Sequence, residues 1–241
     1  MRIADALKQI NIDLVEKEIL LADLLKKDRS FLHSHPEFTL SESQTEEFKS
    51  RLERREQNEP VAYILGYQEF YGRRFLVNKD VLIPRADTEM LVQEVLAFTK
   101  NKNLTIVDVG TGAGCIAITL TAENPKLKIV ATEISRPALA VAKKNAALHS
   151  VTKAVQFLHG SLLEPLTGPV DVIVANLPYI TTRSLHRLPE EIRDWEPHVA
   201  LHSGGNSKWG FYEVLFAQSK EKLKPGGKIF YEIDGKVLTQ P

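Results

Sequence analysis

The sequence has few of the features that mark secreted, membrane-bound or nucleic-acid-binding proteins. Its 241 residues include a single cysteine, Cys115, which excludes an intrachain disulfide framework and fits a reducing cytosol. Positive and negative side chains balance at 31 each, so the chain lacks the basic surplus typical of phosphate-backbone binders. No apolar run approaches the roughly 20 residues of a membrane span, and the polar N-terminus is not typical of a signal peptide. We therefore expect a cytoplasmic protein that binds neither membranes nor nucleic acid directly.

Residues 1–58 carry helical periodicity and helix-end signals. From Leu14 onward, apolar residues recur at spacings near 3.6, as on one face of a helix. Ser41 precedes a second run and has Gln44 three residues later, which is the arrangement of a capping box. The stretch 59–86 is rich in aromatic and β-branched residues and predicts a hairpin or connector. The sequence thus predicts a small helical domain followed by a connector.

From residue 87 to residue 241 the chain alternates between short apolar strands and helices. A helix is expected to begin near Asp87 or Thr88. The predicted strands are 104–109, 128–133, 154–159, 171–176 and 228–234. Such an alternation is typical of a parallel, doubly wound sheet with helices on both faces. We therefore expect an α/β, Rossmann-like domain over 87–241.

A glycine-rich turn follows the first of these strands, in the segment VDVGTGAGCIAI. Gly110, Gly112 and Gly114 let the backbone turn tightly and approach a ligand closely. The spacing is not that of the dinucleotide fingerprint, which requires a glycine where Cys115 stands. Asp108, just before the turn, suits a cationic, amino-acid-like ligand better than a pyrophosphate.

A second acid strengthens this interpretation. Glu133 ends the next predicted strand, about 20 residues further on, where a carboxylate can accept both hydroxyls of a ribose. The turn and the two acids together indicate S-adenosylmethionine rather than NAD. The predicted cofactor-binding residues in this region are Asp108, Gly110, Thr111, Gly112, Ala113, Gly114 and Glu133. The alternative is that the glycines serve only the packing of helix on sheet.

The segment VDVIVANLPYITT ends a buried strand on an amide, a proline and an aromatic ring. The side-chain oxygen of Asn176 and the carbonyl oxygen of Leu177 can each accept a hydrogen bond from an amino group. Pro178 holds Leu177 in an extended conformation, and Tyr179 offers a flat face to a planar group. These residues predict a socket for a planar –NH2 whose nitrogen is oriented toward a methyl sulfonium. The alternative is an ordinary turn that ends a strand.

The chain resembles the release factor glutamine methyltransferases, which methylate the side-chain nitrogen of a glutamine in the Gly-Gly-Gln loop of class 1 peptide release factors. The resemblance is carried by EPVAYILGYQEFYG, VLIPRADTEMLV, VDVGTGAGCIAI, NLPY, DWEPHVAL and KPGGKIFYEI. It implies a methyltransferase domain over 87–241, a release-factor-docking domain over 1–58 and S-adenosylmethionine as cofactor. It also implies catalytic roles for Asn176, Leu177, Pro178 and Tyr179, with Asn176 contacting the cofactor as well.

The sequence departs from the family pattern at several places. The family reads NPPY where this chain has Leu177, and the acid that usually lies near the adenine is replaced by Ser161 beside Leu162. The usual Gly-Gly-x-Asp-Gly segment becomes SGGNSKWG. The family continues past YEI with a helix and two strands, whereas this chain ends at Pro241. We therefore expect strand 228–234 to be an uncovered edge, and the chain to be a fragment that self-associates.

Three functions remain open from the sequence. The leading one is S-adenosylmethionine-dependent N5-methylation of the release-factor glutamine, in support of translation termination. NLPY also occurs in RNA adenine dimethyltransferases, so N6-methylation of adenine in RNA or DNA is the second, although the zero net charge and IPRADTE count against it. The third is a catalytically weakened, truncated relative that only docks a release factor, favoured by Ser161 and the changes over 203–210.

Overall fold

The computed structural model describes residues 1–8 and 12–240 of the chain. The chain forms two compact units, the first of Met1–Gly66 with Glu190–Trp195 and the second of Tyr67–Pro189 with Glu196–Pro241. Residues 9–11, within the predicted helical domain, and the C-terminal Pro241 lie outside the described residues. The domain limits 1–58, 59–86 and 87–241 stay a prediction.

The first unit is helical. Its first five helices are α1 (Ile3–Ala6), α2 (Leu14–Leu25), α3 (Arg29–Ser34), α4 (Glu42–Glu56) and α5 (Val61–Leu65). The predicted capping box is confirmed, since Gln44 N–H donates to Ser41 Oγ at 3.1 Å and Ser41 N–H donates to Gln44 Oε1 at 2.9 Å. Leu20, Phe48 and Leu52 are fully buried in a common core, so the apolar face of each long helix is covered inside this unit.

The second unit starts with an antiparallel hairpin, β1 (Tyr67–Phe70) and β2 (Arg73–Leu76). Its helices are α6 (Asp87–Thr99), α7 (Cys115–Glu123), α8 (Arg136–Leu148), α9 (Thr182–Leu185), α11 (His198–Leu201) and α12 (Gly210–Lys222). Its remaining strands are β3 (Thr105–Val109), β4 (Lys128–Glu133), β5 (Val155–His159), β6 (Val170–Ala175), β7 (Leu223–Ile233) and β8 (Lys236–Gln240). The helix α10 (Glu190–Arg193) lies between α9 and α11 in the chain but belongs to the helical unit. Within residues 1–8 and 12–240, none of the helices combines the length and apolar character that crossing a membrane requires.

The main sheet has six strands in the order β5-β4-β3-β6-β7-β8, and its first five strands are parallel. The expected doubly wound α/β fold is confirmed. The strand order changes direction between β3 and β6, and ligands of such sheets bind at this switch point, beyond the carboxyl ends of the strands. Val109 of β3 pairs with Ala175 of β6, so the glycine turn and Asn176 leave the sheet side by side.

Strand β6 is buried on both faces. Its residues Val172 to Ala175 are fully buried, because helices cover both sides of a parallel sheet. The strand therefore holds the backbone before Asn176 rigidly, which positions the socket residues that follow.

The expectation that strand 228–234 is an uncovered edge is wrong. β7 begins earlier, at Leu223, and β8 pairs with it antiparallel over Lys236–Gln240. The connection is a two-residue turn at Asp234 and Gly235, whose φ angles of 51° and 67° are both positive. An Asp-Gly pair is a strong signal for this type of hairpin turn. The argument for self-association through β7 therefore loses its basis.

Candidate functional site

A cleft opens at the carboxyl ends of the central strands. Its empty volume, which includes space open to solvent, is about 800 Å³. The predicted site residues that line it are Gly110, Gly112, Glu133, Ser161, Leu162, Asn176, Leu177 and Pro178. Ile134 and Phe211 also line it and were not predicted. The cleft therefore brings together three separate sequence motifs.

A second, smaller cavity adjoins the cleft. Its empty volume is about 440 Å³, and it shares Gly110, Gly112 and Asn176 with the cleft. Thr111 and Ala113 line this cavity, as do Arg85 and Thr88. In the described part of the chain, the predicted residues that line neither cavity are Asp108, Gly114 and Tyr179. Two cavities that meet at Asn176 can bring two reactants to one point.

The glycines of the turn serve different purposes. Gly112 has φ +56°, and a Cβ added there would meet no atom within 4 Å, so its backbone faces open space in the cleft. A Cβ on Gly114 would instead lie 2.9 Å from Ile118 Cδ1 and 3.2 Å from Ala142 Cβ. Gly114 thus serves the packing of α7 on α8, whereas Gly112 leaves room for a ligand.

Asp108 is buried and incompletely partnered. Its Oδ2 accepts hydrogen bonds from the Thr111 hydroxyl and from Ala117 N–H, while no described group bonds to Oδ1. Burial raises the pKa of this carboxyl to about 6, and those two bonds offset only part of that effect. A buried carboxylate with one oxygen that no described group bonds can balance a positive charge placed close to it.

Glu133 is tied to the backbone around it. Its Oε2 accepts Gly112 N–H at 2.9 Å and its Oε1 accepts Ser135 N–H at 2.8 Å. A carboxylate offers about four acceptor sites, so each oxygen can accept one further bond. Glu133 is therefore held in one orientation and keeps the capacity to accept two ribose hydroxyls.

The protein binds the side-chain nitrogen of Asn176 and leaves its side-chain oxygen available. Its Nδ2 donates to Thr88 Oγ1 at 2.9 Å and to Glu232 Oε2 at 3.1 Å. In the described part of the chain, no donor bonds to Asn176 Oδ1. The amide nitrogen has two hydrogens and both are used, so Oδ1 is left to accept a bond from a ligand.

Leu177 contributes both its backbone and its side chain. Its N–H donates to Tyr212 Oη at 3.0 Å, and its side chain is 4% exposed. A Cβ on Gly110 would lie 3.0 Å from Leu177 Cδ2, so the leucine packs against the glycine turn. The residue that departs from NPPY therefore joins the two predicted motifs.

Some residues of this site were missed from the sequence. Thr88, Tyr212 and Glu232 contact the NLPY segment from α6, α12 and β7. Thr88 and Glu232 stand in segments that carry the family resemblance, IPRADTE and KIFYEI, but neither segment's spacing indicates a contact with Asn176. These contacts could be predicted only from knowing that both segments pack beside the strand that ends at Asn176.

Both units match known families. Residues 2–66 match the PrmC N-terminal domain and residues 86–190 match the methyltransferase small domain. A release factor glutamine methyltransferase of Koribacter versatilis is 39% identical over 219 residues, which cover 90% of this chain and 77% of that protein. The chain belongs to the release factor glutamine methyltransferase family. Another family member, from Geobacter sulfurreducens, is 39% identical over 91% of this chain and 76% of its own length.

Longer relatives also match. A bifunctional methyltransferase of Rickettsia typhi is 39% identical over 251 residues, which cover 95% of this chain and 48% of that protein. The chain thus spans about half the length of these longer relatives. Among solved structures, a ribosomal protein L11 methylase from Lactobacillus delbrueckii is similar with a TM-score of 0.45 and 24% identity, over 61% of this chain and 60% of that one. Such a likeness says nothing about substrate.

We expect Asp108→Asn to change how the stability of this family member depends on pH. The pKa of Asp108 is about 6 in the folded chain against an ordinary 3.8, so the folded chain holds a proton that the unfolded chain releases. The stabilisation from that proton is complete below pH 4 and is lost as pH rises through 6. Urea unfolding should show the variant gaining about 2 kcal/mol of unfolding free energy on wild type between pH 4 and pH 7. If the difference in unfolding free energy between the variant and wild type does not vary with pH, the raised pKa of Asp108 is contradicted.

Proposed function

We propose that the chain transfers a methyl group from S-adenosylmethionine to the side-chain nitrogen of the glutamine in the Gly-Gly-Gln motif of class 1 peptide chain release factors. The observation that carries the proposal is the state of Asn176. Both of its amide hydrogens are bound by the protein, and its oxygen is free where two cavities meet. A free acceptor at that point suits an –NH2 group beside a methyl donor.

The cleft and the buried Asp108 beside the glycine turn would supply the groups that hold the cofactor. Asp108 would balance its ammonium group, Glu133 would accept its ribose hydroxyls, and Ser161 and Leu162 would lie at its adenine. Gly112 leaves the space that its backbone needs. When bound, S-adenosylmethionine supplies an electrophilic methyl group on a sulfonium.

The socket orients a weak nucleophile. The lone pair of an amide nitrogen is delocalised into its carbonyl, so the reaction depends on position rather than on a strong base. Asn176 Oδ1 and the Leu177 carbonyl oxygen accept one amide hydrogen each, Pro178 sets the backbone between them, and Tyr179 packs on the amide plane. Burial raises the pKa of the Tyr179 hydroxyl, which argues against that group as a base.

The helical domain, over residues 1–58, would dock the release factor. Because translation termination takes place in the cytoplasm, the proposal also assigns the protein to that compartment. Direct contact with nucleic acid or membrane plays no part in it.

We expect a paired substitution on α2 to weaken docking without affecting chemistry. Leu14 and Val15 are 50% and 45% exposed, and both lie in the proposed docking domain. Leu14→Ser with Val15→Ser should raise the KM for release factor about tenfold while kcat and cofactor affinity stay constant. Val214→Ser, which removes an apolar side chain that is 48% exposed on α12, is the matched control. Equal KM values for the pair and the control would refute docking at this face.

Methyl labelling tests the proposed function. The chain is incubated with methyl-labelled cofactor and either a release factor, the same factor with its motif glutamine changed to alanine, or ribosomal RNA. We expect label only in the unchanged release factor. Label in the RNA would support the adenine methyltransferase instead, and binding of release factor without label would indicate a relative that only docks.

A further inference from the structure

Asn176 works as an acceptor only when its side-chain amide faces one way. An asparagine amide has a donor end and an acceptor end of nearly the same shape, and a half turn exchanges them. With the NH2 end toward the substrate, two donors would face each other and the glutamine amide would not be held. The orientation of this one amide therefore decides whether the socket can function.

Thr88 and Glu232 determine that orientation. Asn176 Nδ2 donates to both, to Thr88 Oγ1 at 2.9 Å and to Glu232 Oε2 at 3.1 Å. An ionised carboxylate only accepts and a hydroxyl oxygen has two lone pairs, so both partners can accept from the NH2 end of Asn176. Thr88 is 6% and Glu232 is 4% exposed, so water has little access to compete for these bonds. Two buried acceptors on this side therefore favour the orientation in which the NH2 end of Asn176 faces them.

Glu232 also anchors the next residue through its main chain. Tyr212, fully buried, donates its hydroxyl proton to the Glu232 carbonyl oxygen at 2.5 Å and accepts Leu177 N–H at 3.0 Å. One residue of β7 thus holds the Asn176 side chain through its carboxylate and the Leu177 backbone through Tyr212. A proline in place of Leu177 would have no N–H to give, so the leucine of this chain is what makes the second anchor possible.

We propose that Thr88 and Glu232 are positioning residues that fix the Asn176 amide with its oxygen toward the substrate, and that Tyr212 fixes the Leu177 backbone in the same way. The proposal deepens the proposed function and rests on it, since the positioned group is the glutamine amide. Each of the three residues acts through Asn176 or Leu177, to which it is hydrogen-bonded.

Thr88→Val and Thr88→Ser form the matched pair that tests it. Valine keeps the shape of the side chain and removes the hydroxyl, whereas serine keeps the hydroxyl. We expect kcat for release-factor methylation to fall about tenfold in Thr88→Val and to recover in Thr88→Ser. The KM for release factor and the cofactor Kd should stay within about twofold, because most docking contacts lie elsewhere. Full activity of Thr88→Val would overturn the proposal.

Glu232→Gln provides a second variant in case Thr88→Val does not fold. Glutamine can donate as well as accept, so it permits both orientations of the Asn176 amide. We expect the same fall in kcat with little change in cofactor affinity. Wild-type activity in this variant would count against the proposal.

A double variant separates positioning from a purely structural role. If Thr88 acts through Asn176, then Thr88→Val made in the Asn176→Ala background lowers the residual single-turnover rate by less than about twofold. A loss there as large as in the wild-type background would overturn the proposal.

Amide NMR tests the orientation without turnover. The side-chain NH2 signals that vanish in Asn176→Ala belong to Asn176, and we expect their exchange with water to be about tenfold faster in Thr88→Val than in wild type. If wild type labels no release factor, the proposed function fails and this measurement still decides the role of Thr88. Unchanged exchange would refute it.

Discussion

Asn176→Ala should lower kcat for release-factor methylation by at least about 100-fold while the cofactor Kd stays within about tenfold. The substitution removes the acceptor that orients the substrate nitrogen and leaves the glycine turn and both acids in place. Single-turnover labelling measures the transfer rate, and calorimetry measures cofactor affinity. The large effect is expected because an amide nitrogen reacts only when its lone pair is aligned with the methyl group.

Asn176→Asp is the informative companion to the alanine variant. An aspartate can still accept a hydrogen bond from the substrate, but its charge lies beside Glu232 and it has no N–H for Thr88. We expect it to be about as inactive as the alanine variant. Full turnover in Asn176→Ala would remove the NLPY socket from the mechanism, whatever the aspartate variant does.

Gly112→Val should abolish measurable cofactor binding, with a loss of at least about 100-fold in affinity. The added side chain would enter space that the described residues leave open and that the cofactor backbone is proposed to use. The substitution also forces valine to a positive φ, which costs about 1–2 kcal/mol of stability. Calorimetry with S-adenosylmethionine, together with thermal unfolding of the same samples, measures both effects.

Gly72→Val is the matched control for backbone strain. Gly72 lies in the β1–β2 turn with φ +68°, and a Cβ there would also meet no atom within 4 Å. The two valine variants should lose similar stability, but only Gly112→Val should lose cofactor affinity. Comparable affinity losses in both would mean that strain, rather than blocked space, explains the result.

The sequence predicts the parts of the site that are local. The glycine turn, Glu133 and the NLPY segment each follow a strand, and parallel pairing of β3, β4 and β6 is enough to bring them together. The network behind Asn176 could not be predicted in this way. Thr88 lies 88 residues before Asn176 and Glu232 lies 56 residues after it, so only tertiary packing brings them into contact.

The β7–β8 hairpin was missed for a different reason. The Asp234-Gly235 pair is a local signal, visible in the sequence, but the expected family continuation suggested a missing strand instead. The local turn signal was the better guide. The individual roles of the glycines were also hidden from the sequence, because whether a Cβ meets a helix or open space depends on packing.

One helix of the helical unit, α10, comes from far along the chain. The helical unit therefore cannot finish folding until that helix has been synthesised. Arg55 Nη2 donates to Glu191 of α10 at 3.0 Å, and Trp195 Nε1 donates to the Gln57 carbonyl oxygen at 3.1 Å. During synthesis the first five helices leave the ribosome long before these partners exist. The helical unit therefore reaches its final form only after most of the α/β unit has been translated, and the two units mature in an interleaved order.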